Sequence, residues 1–242
     1  MKALVGARIL EGATWRDDHA LLLNGALIEA VMPVATLDDA IPREALHGGV
    51  LLPGFIDTQV NGGGGVLLND VPTVAGVRAI AEAHRKFGTT GLLPTLISDD
   101  LVKVETAIRA VDSAIEERVP GVLGIHLEGP FLNPNKRGIH DVTKFRRLDP
   151  AGIALVSSLH HGVTIVTLAP ELAKRGAILA LVRKGVVVSA GHSMATYNEM
   201  QSAFAEGMEA VTHLFNAMTQ LESRAPGMVG AALEQGVSGI IV

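Results

Sequence analysis

Cysteine is absent from this sequence of 242 residues. Disulfides and thiolate metal ligands are therefore excluded, and the composition suits a reducing compartment. Aromatic residues are scarce, at 3%, so the core must be built from aliphatic side chains. No apolar run reaches the roughly 18 residues that a membrane-spanning helix needs. The N-terminal stretch MKALVGARILEGATWRDD lacks the unbroken apolar core of a signal peptide. Positive charge is not in excess either. Twenty Lys and Arg stand against 25 Asp and Glu, for a net charge of −5, which argues against nucleic acid as a partner. Together these absences predict a soluble cytoplasmic protein with no nucleic-acid or membrane partner.

What is present is a globular composition: 48% hydrophobic, 19% charged and 27 glycines. Residues 1–53 form one region. In HALLLNGALIEAVMP, Asn24 and Gly25 separate two short apolar runs, a strong hairpin signal, so this region reads as small antiparallel β structure of the sandwich kind. From residue 54 to 242 the rhythm changes. Strand-like runs, namely GFIDTQV, TTGLLPTLI, GVLGIHLEG, GVTIVTLAP, GVVVSAGHS, EAVTHLFNA and SGIIV, alternate with amphipathic stretches. In one of these stretches Val74, Val77, Ile80, Ala81, His84 and Phe87 recur at helical spacing. Asp149 and Pro150 supply a cap and a first-turn proline for another helix.

Strands alternating with helices imply a parallel sheet. The rhythm alone fits a doubly wound sheet or a (β/α)8 TIM-type barrel. Polar residues gathered at strand C-termini favour the barrel, whose active sites lie on that face. Seven strands are countable and the eighth is not, so the barrel reads as incomplete at its C-terminus.

Three strand ends carry metal-ligating residue types: Glu128 in GIHLEGPF, His192 in VVVSAGHS and His213 in AVTHLFNAM. One carboxylate and two imidazoles form an open ligand set for a divalent ion. The blander reading makes each a hydrogen-bonded packing residue. His126, one layer below Glu128, reads as a satisfied core histidine. His160 and His161 read as a helix terminus favoured by the dipole. Asn216 lies near the same rim. Arg224, in the loop SRAPGMVG, suits phosphate, or else is a solvated arginine. His140 lies in the turn-rich loop NPNKRGIHD. The GGGG at 62–65 lacks the Lys-Ser/Thr of a P-loop and reads as a turn or as a close approach to ligand. Just before it, Gln59 and Asn61 share a strand face where two histidines would clamp a metal.

At these blocks the sequence resembles a known family. PGFIDTQVNGGGG, HLEGPFLNPNKRGIH, SAGHS, THLFNAM and RAPGMVGAAL are similar to the N-acetylglucosamine-6-phosphate deacetylase family of the amidohydrolase superfamily. The resemblance implies a metal-bearing barrel, a small β domain built from both chain ends, a homodimer and a role in amino-sugar catabolism. It implies one divalent ion, Zn²⁺ first and Fe²⁺, Mn²⁺ or Co²⁺ as alternatives, on Glu128, His192 and His213. It makes Ile139 and His140 a substrate-contact pair, with His140 placed to stabilise the oxyanion. Asn216, Ala217 and Arg224 would hold the sugar phosphate, Arg224 reaching the neighbouring subunit. Gln59 and Asn61 become vestiges of a second metal position. The family's general-base Asp falls beyond Val242, so the chain is expected to be a fragment of a longer enzyme. The other readings are a different amidohydrolase acting on an amide or cyclic amide, and a catalytically dead sugar-phosphate-binding fragment.

Overall fold

The structure, a computed structural model, describes residues 1–236 and the backbone of residues 238–240. It divides into two compact units, Met1–Gly54 and Phe55–Val242.

The first unit holds β1 (Lys2–Val5), β2 (Arg8–Glu11), β3 (Thr14–Arg16), β4 (His19–Asn24), β5 (Leu27–Pro33), β6 (Arg43–Ala45) and β7 (Val50–Leu51). They form a four-stranded sheet ordered β5-β4-β1-β6 and a three-stranded sheet ordered β3-β2-β7. The hairpin expected at Asn24 and Gly25 joins β4 to β5, and Gly25 supplies the positive φ of 61° that the tight turn requires. Alternation in β4 buries Ala20 and Leu22, which meet Ala3 and Leu37 in a small core. The sheets are mixed, however, not purely antiparallel as the sequence suggests. β6 and β7 run parallel to β1 and β2. Hairpin signals report only neighbours in sequence, and these two strands return from a distance.

The second unit opens with β8 (Phe55–Val60) and the short hairpin of β9 (Gly62–Gly63) and β10 (Val66–Leu67). It continues as α1 (Val74–Arg85), β11 (Thr89–Ile97), α2 (Leu101–Glu116), β12 (Gly124–Glu128), α3 (Pro150–Val156) and β13 (Val163–Leu168). The last elements are α4 (Ala177–Val182), β14 (Val187–Ala190), α5 (Tyr197–Ala205), β15 (Ala210–Thr212), α6 (Gly227–Gln235) and β16 (Ser238–Ile240). Ile241 and Val242, assigned by sequence to the last strand, lie outside the described residues. Seven strands pair in chain order, β8-β11-β12-β13-β14-β15-β16, with every determined ladder parallel. A doubly wound sheet reverses its strand order at a switch point. This sheet never reverses, so its winding is that of a barrel.

The helices form where the sequence signals sit. Thr73 caps α1 by accepting from Gly76 N, and Val77, Ile80 and Ala81 face the core. Burying Val77 and Ile80 stabilises by roughly 1.5–3 kcal/mol each. Phe87 departs from that stripe: it lies past the helix end and is 81% exposed. Asp149 accepts from Gly152 N, with Pro150 in the first turn of α3. The GGGG run is structured rather than slack. Gly62 and Gly63 pair with Val66 and Leu67 across a turn at Gly64 and Gly65, both at positive φ. A Cβ on Gly62 would lie 2.3 Å from the Val66 carbonyl oxygen, so no larger residue fits there. His160 and His161 do not end a helix. Both rings and both backbone amides meet the Asp112 carboxylate of α2.

Candidate metal centre

β12 is buried along its whole length. A carboxylate at its C-terminal end is therefore withdrawn from water and needs partners. Glu128 finds four. Its Oε1 lies 3.1 Å from His192 Nε2 and 2.6 Å from His213 Nε2. Its Oε2 accepts from Gln59 Nε2 at 3.0 Å and faces His140 Nε2 at 3.7 Å. Side chains from β8, from the end of β12 and its loop, and from the ends of β14 and β15 thus converge on one carboxylate.

Burial pushes the Glu128 pKa up. Hydrogen bonds with His192 and His213, and smaller contributions from His126 and His140, outweigh it and hold the carboxyl well below the usual range. Glu128 is an anion here.

The ring nitrogens define the chemistry. His192 Nδ1 lies 2.7 Å from the Lys136 carbonyl oxygen. A carbonyl only accepts, so Nδ1 carries the proton. Nε2 can then face Glu128 only as an imidazolium N–H or as a lone pair sharing a cation with the carboxylate. Metal-ligating histidines commonly carry this second-nitrogen hydrogen bond to a carbonyl. Gln59 Oε1, also turned inward, is buried without a hydrogen-bond partner. A converging set of one carboxylate and imidazole lone pairs, beside an orphaned acceptor, fits a divalent cation with a bound water.

His140 differs. The Ser98 backbone N–H donates to its Nδ1 at 3.3 Å, and Ser98 Oγ sits 2.9 Å from the same atom. Nδ1 is an acceptor, so the proton is on Nε2, which faces the site. Burial, opposed by Glu128, holds the His140 pKa down at about 4, so the ring is neutral. By distance alone Glu128, His140 and His192 also qualify as a ligand trio, with ligand atoms within 4.8 Å of one another. The tautomer makes His140 a donor into the site, while His213 Nε2 lies against Glu128 Oε1 beside His192.

One layer below, His126 is fully buried. Its Nδ1 donates to the Thr58 carbonyl, and its Nε2 meets Thr167 Oγ1 at 2.7 Å. Hydroxyls continue the chain from Thr167 to Thr212 and from Thr212 to Ser189. This satisfied polar layer is the floor of the site.

The loops above are conformationally unusual. His192, His213, Phe215 and Ala217 all have positive φ, between 48° and 75°. Such backbone costs roughly 1–3 kcal/mol per residue and persists where its surroundings hold it. Gly191 precedes His192 because a Cβ there would come within 2.8 Å of Thr167 Cγ2 and 3.0 Å of Thr212 Cβ.

The other expected residues are more scattered. Asn61 lies between β8 and β9, and its carbonyl accepts from Leu68 N. Ile139 is 87% exposed beside buried His140. Asn216 N donates to the His213 carbonyl, and the Ala217 carbonyl accepts from Ser193 N, so both lie in the turn that presents His213. Arg224 sits exposed in a turn where Glu222 and Ala225 exchange backbone hydrogen bonds. Ser98 and the Lys136 carbonyl, which set the two tautomers, carry no signal in the sequence.

Residues 50–238 match the Amidohydrolase family, and residues 1–51 match the NagA composite domain. The chain belongs to the amidohydrolase family. Among curated relatives, the N-acetylgalactosamine-6-phosphate deacetylase of Shewanella sp. (strain ANA-3) is 45% identical over 241 residues, 98% of this chain and 61% of that protein. The crystal structure of N-acetylglucosamine-6-phosphate deacetylase from Pasteurella multocida superposes with a TM-score of 0.93 at 34% identity, covering 99% of this chain and 64% of that one. A mutant of the Mycobacterium smegmatis enzyme, solved in complex with N-acetyl-D-glucosamine-6-phosphate, gives 0.85 at 29% identity, covering 99% of this chain and 62% of that one. This amidohydrolase chain thus spans about three fifths of the length of these proteins. Its seven parallel strands correspond to an incomplete barrel of that fold.

Proposed function

We propose that this chain forms the metal-binding part of an enzyme that hydrolyses the acetamide of N-acetylglucosamine 6-phosphate to glucosamine 6-phosphate and acetate. The observation that carries the proposal is the pairing of Glu128 Oε1 with His192 Nε2, whose other nitrogen is committed to the Lys136 carbonyl. Glu128, His192 and His213 would hold one divalent ion, Zn²⁺ first, with Fe²⁺, Mn²⁺ or Co²⁺ as alternatives. When bound, such an ion supplies Lewis-acid polarisation of the amide carbonyl and lowers the pKa of a water.

The chain's own residues supply the rest. His140 presents its Nε2–H to the carbonyl oxygen as negative charge develops there. Its pKa of about 4 keeps the ring neutral at working pH, so it donates a hydrogen bond without acting as a standing cation. Gln59 Oε1, otherwise unpartnered, accepts from the attacking water. Gln59 and Asn61 hold no second metal in this reading, since neutral amides are weak ligands beside imidazole. Asn216, Ala217 and Arg224 take the phosphate, and Ile139 lies against the sugar. The resemblance assigns proton transfer to the leaving amine to an Asp beyond residue 242. It also assigns Arg224 to the substrate of a second subunit in a homodimer. A cytoplasmic location suits the absence of cysteine, and none of the described helices is long and apolar enough to cross a membrane.

The Shewanella relative favours a second reading, in which the substrate is the galacto epimer. Acetate release from N-acetylglucosamine 6-phosphate, N-acetylgalactosamine 6-phosphate and unphosphorylated N-acetylglucosamine, measured on protein that includes the assigned Asp, tests both. The higher kcat/KM among the two phosphorylated sugars decides between epimers. Equal rates with and without phosphate would point to another amidohydrolase, and binding without turnover to a dead sugar-phosphate binder.

A further inference from the structure

Glu171 lies in the short turn Pro170–Leu172 just after β13 and is absent from the ligand set. Its carboxylate nonetheless accepts three hydrogen bonds. Asn133 Nδ2 reaches Oε1 at 2.9 Å, Met194 N reaches Oε1 at 2.6 Å, and Ser193 Oγ reaches Oε2 at 2.6 Å. Asn133 belongs to the loop that follows β12 and Glu128. Ser193 and Met194 directly follow His192. One side chain therefore ties together the loops after three consecutive strands.

These ties act on His192 from two sides. On the backbone side, His192 is held at φ 48°, the two residues after it are fixed to Glu171, and its own carbonyl accepts from Asn133 N at 2.9 Å. On the ring side, His192 Nδ1 donates to the Lys136 carbonyl. Lys136 ends the turn Pro134–Lys136, which is capped by the Asn133 side chain accepting from Asn135 N. Asn133 is in turn fixed by Glu171. The ring's hydrogen-bond acceptor and the strained backbone that carries the ring thus trace back to the same carboxylate.

We infer that Glu171 is a positioning residue that fixes the direction of His192 Nε2, and thereby sets the affinity of the metal centre on Glu128, His192 and His213. The inference rests on the metal-centre reading. Glu171 acts through His192: the hydrogen bonds described for its carboxylate go to Asn133, Ser193 and Met194. Removing such an outer partner typically weakens metal binding by about 10- to 100-fold.

The test is Zn²⁺ affinity by chelator competition, with thermal midpoints of the metal-free forms measured in parallel. Glu171→Ala should weaken Zn²⁺ by about 10- to 100-fold. Glu171→Gln should restore wild-type affinity. Its Oε1 can accept from Met194 N and the Asn133 amide while its Nε2 donates to Ser193 Oγ. His192→Ala is the control and should abolish tight binding. A Glu171→Ala protein with a lowered midpoint but wild-type Zn²⁺ affinity would make the clamp merely structural and overturn the inference. Tight Zn²⁺ binding that survives His192→Ala overturns the metal-centre reading, and the inference with it. Should Glu171→Ala not fold, Asn133→Ala opens the clamp from the other loop, and unchanged affinity there counts equally against the inference.

Discussion

His126 makes the metal-free protein sensitive to mild acid. Its ring is fully buried, with Nδ1 donating to Thr58 O and Nε2 facing Thr167 Oγ1. Burial holds its pKa at about 4, against an ordinary 6.5. The neutral ring is therefore favoured in the fold, while the unfolded chain takes up a proton as pH drops below 6.5. The stabilisation is complete above the unfolded pKa and is lost as pH falls toward the folded value. At pH 5 the unfolded ring is almost wholly protonated and the folded one is not, which costs about 2 kcal/mol. His140, buried and also held at about 4, adds a loss of the same sign. The lowered carboxylates Glu128, Asp99 and Asp112 titrate below this window and leave it clear. Urea unfolding of chelator-treated protein at pH 7.5, 6 and 5 measures the effect. His126→Gln should be less stable at pH 7.5 but lose about 2 kcal/mol less than wild type on going to pH 5. The same pH slope in both proteins would refute the reasoning.

Much of this architecture is legible because its signals are local. All seven parallel strands of the second unit coincide with apolar runs visible in the sequence, and the cap at Asp149 follows from residue type alone. Glu128, His192 and His213 could be picked out because parallel strands deliver their C-terminal residues to one face. What the sequence hides depends on partners far along the chain. The parallel pairing of β6 and β7 and the Asp112 anchor for His160 and His161 are of this kind. So are the tautomers of His140 and His192, set by Ser98 and by a backbone carbonyl. Helical periodicity also misplaces Phe87, because a repeat of apolar residues does not say where the helix stops. Composition foretold the aliphatic core: Phe131 is the one aromatic among the buried hydrophobic residues described.

Two substitutions probe the upper rim and the packing beneath it. Arg224→Ala should raise KM for the phosphorylated sugar far more than for its unphosphorylated counterpart, and steady-state kinetics on the two that shift equally would remove Arg224 from the phosphate site. Gly191→Ala tests whether the backbone geometry around His192 is imposed by packing. The added methyl would sit 2.8 Å from Thr167 Cγ2 and 3.0 Å from Thr212 Cβ. Neither neighbour is a flexible chain end: both residues are fully buried, and their hydroxyls are hydrogen-bonded to each other. Relief must come from shifting β13 or β15, or the backbone that carries His192. Overpacking of this kind costs about 1–3 kcal/mol, readable as a lowered urea midpoint at unchanged m-value. Because the displaced backbone leads directly into His192, metal affinity should fall together with stability. If Gly191→Ala instead matched wild type in both midpoint and Zn²⁺ affinity, the end of β14 would have room to spare, and the position of His192 would not be fixed by the packing below it.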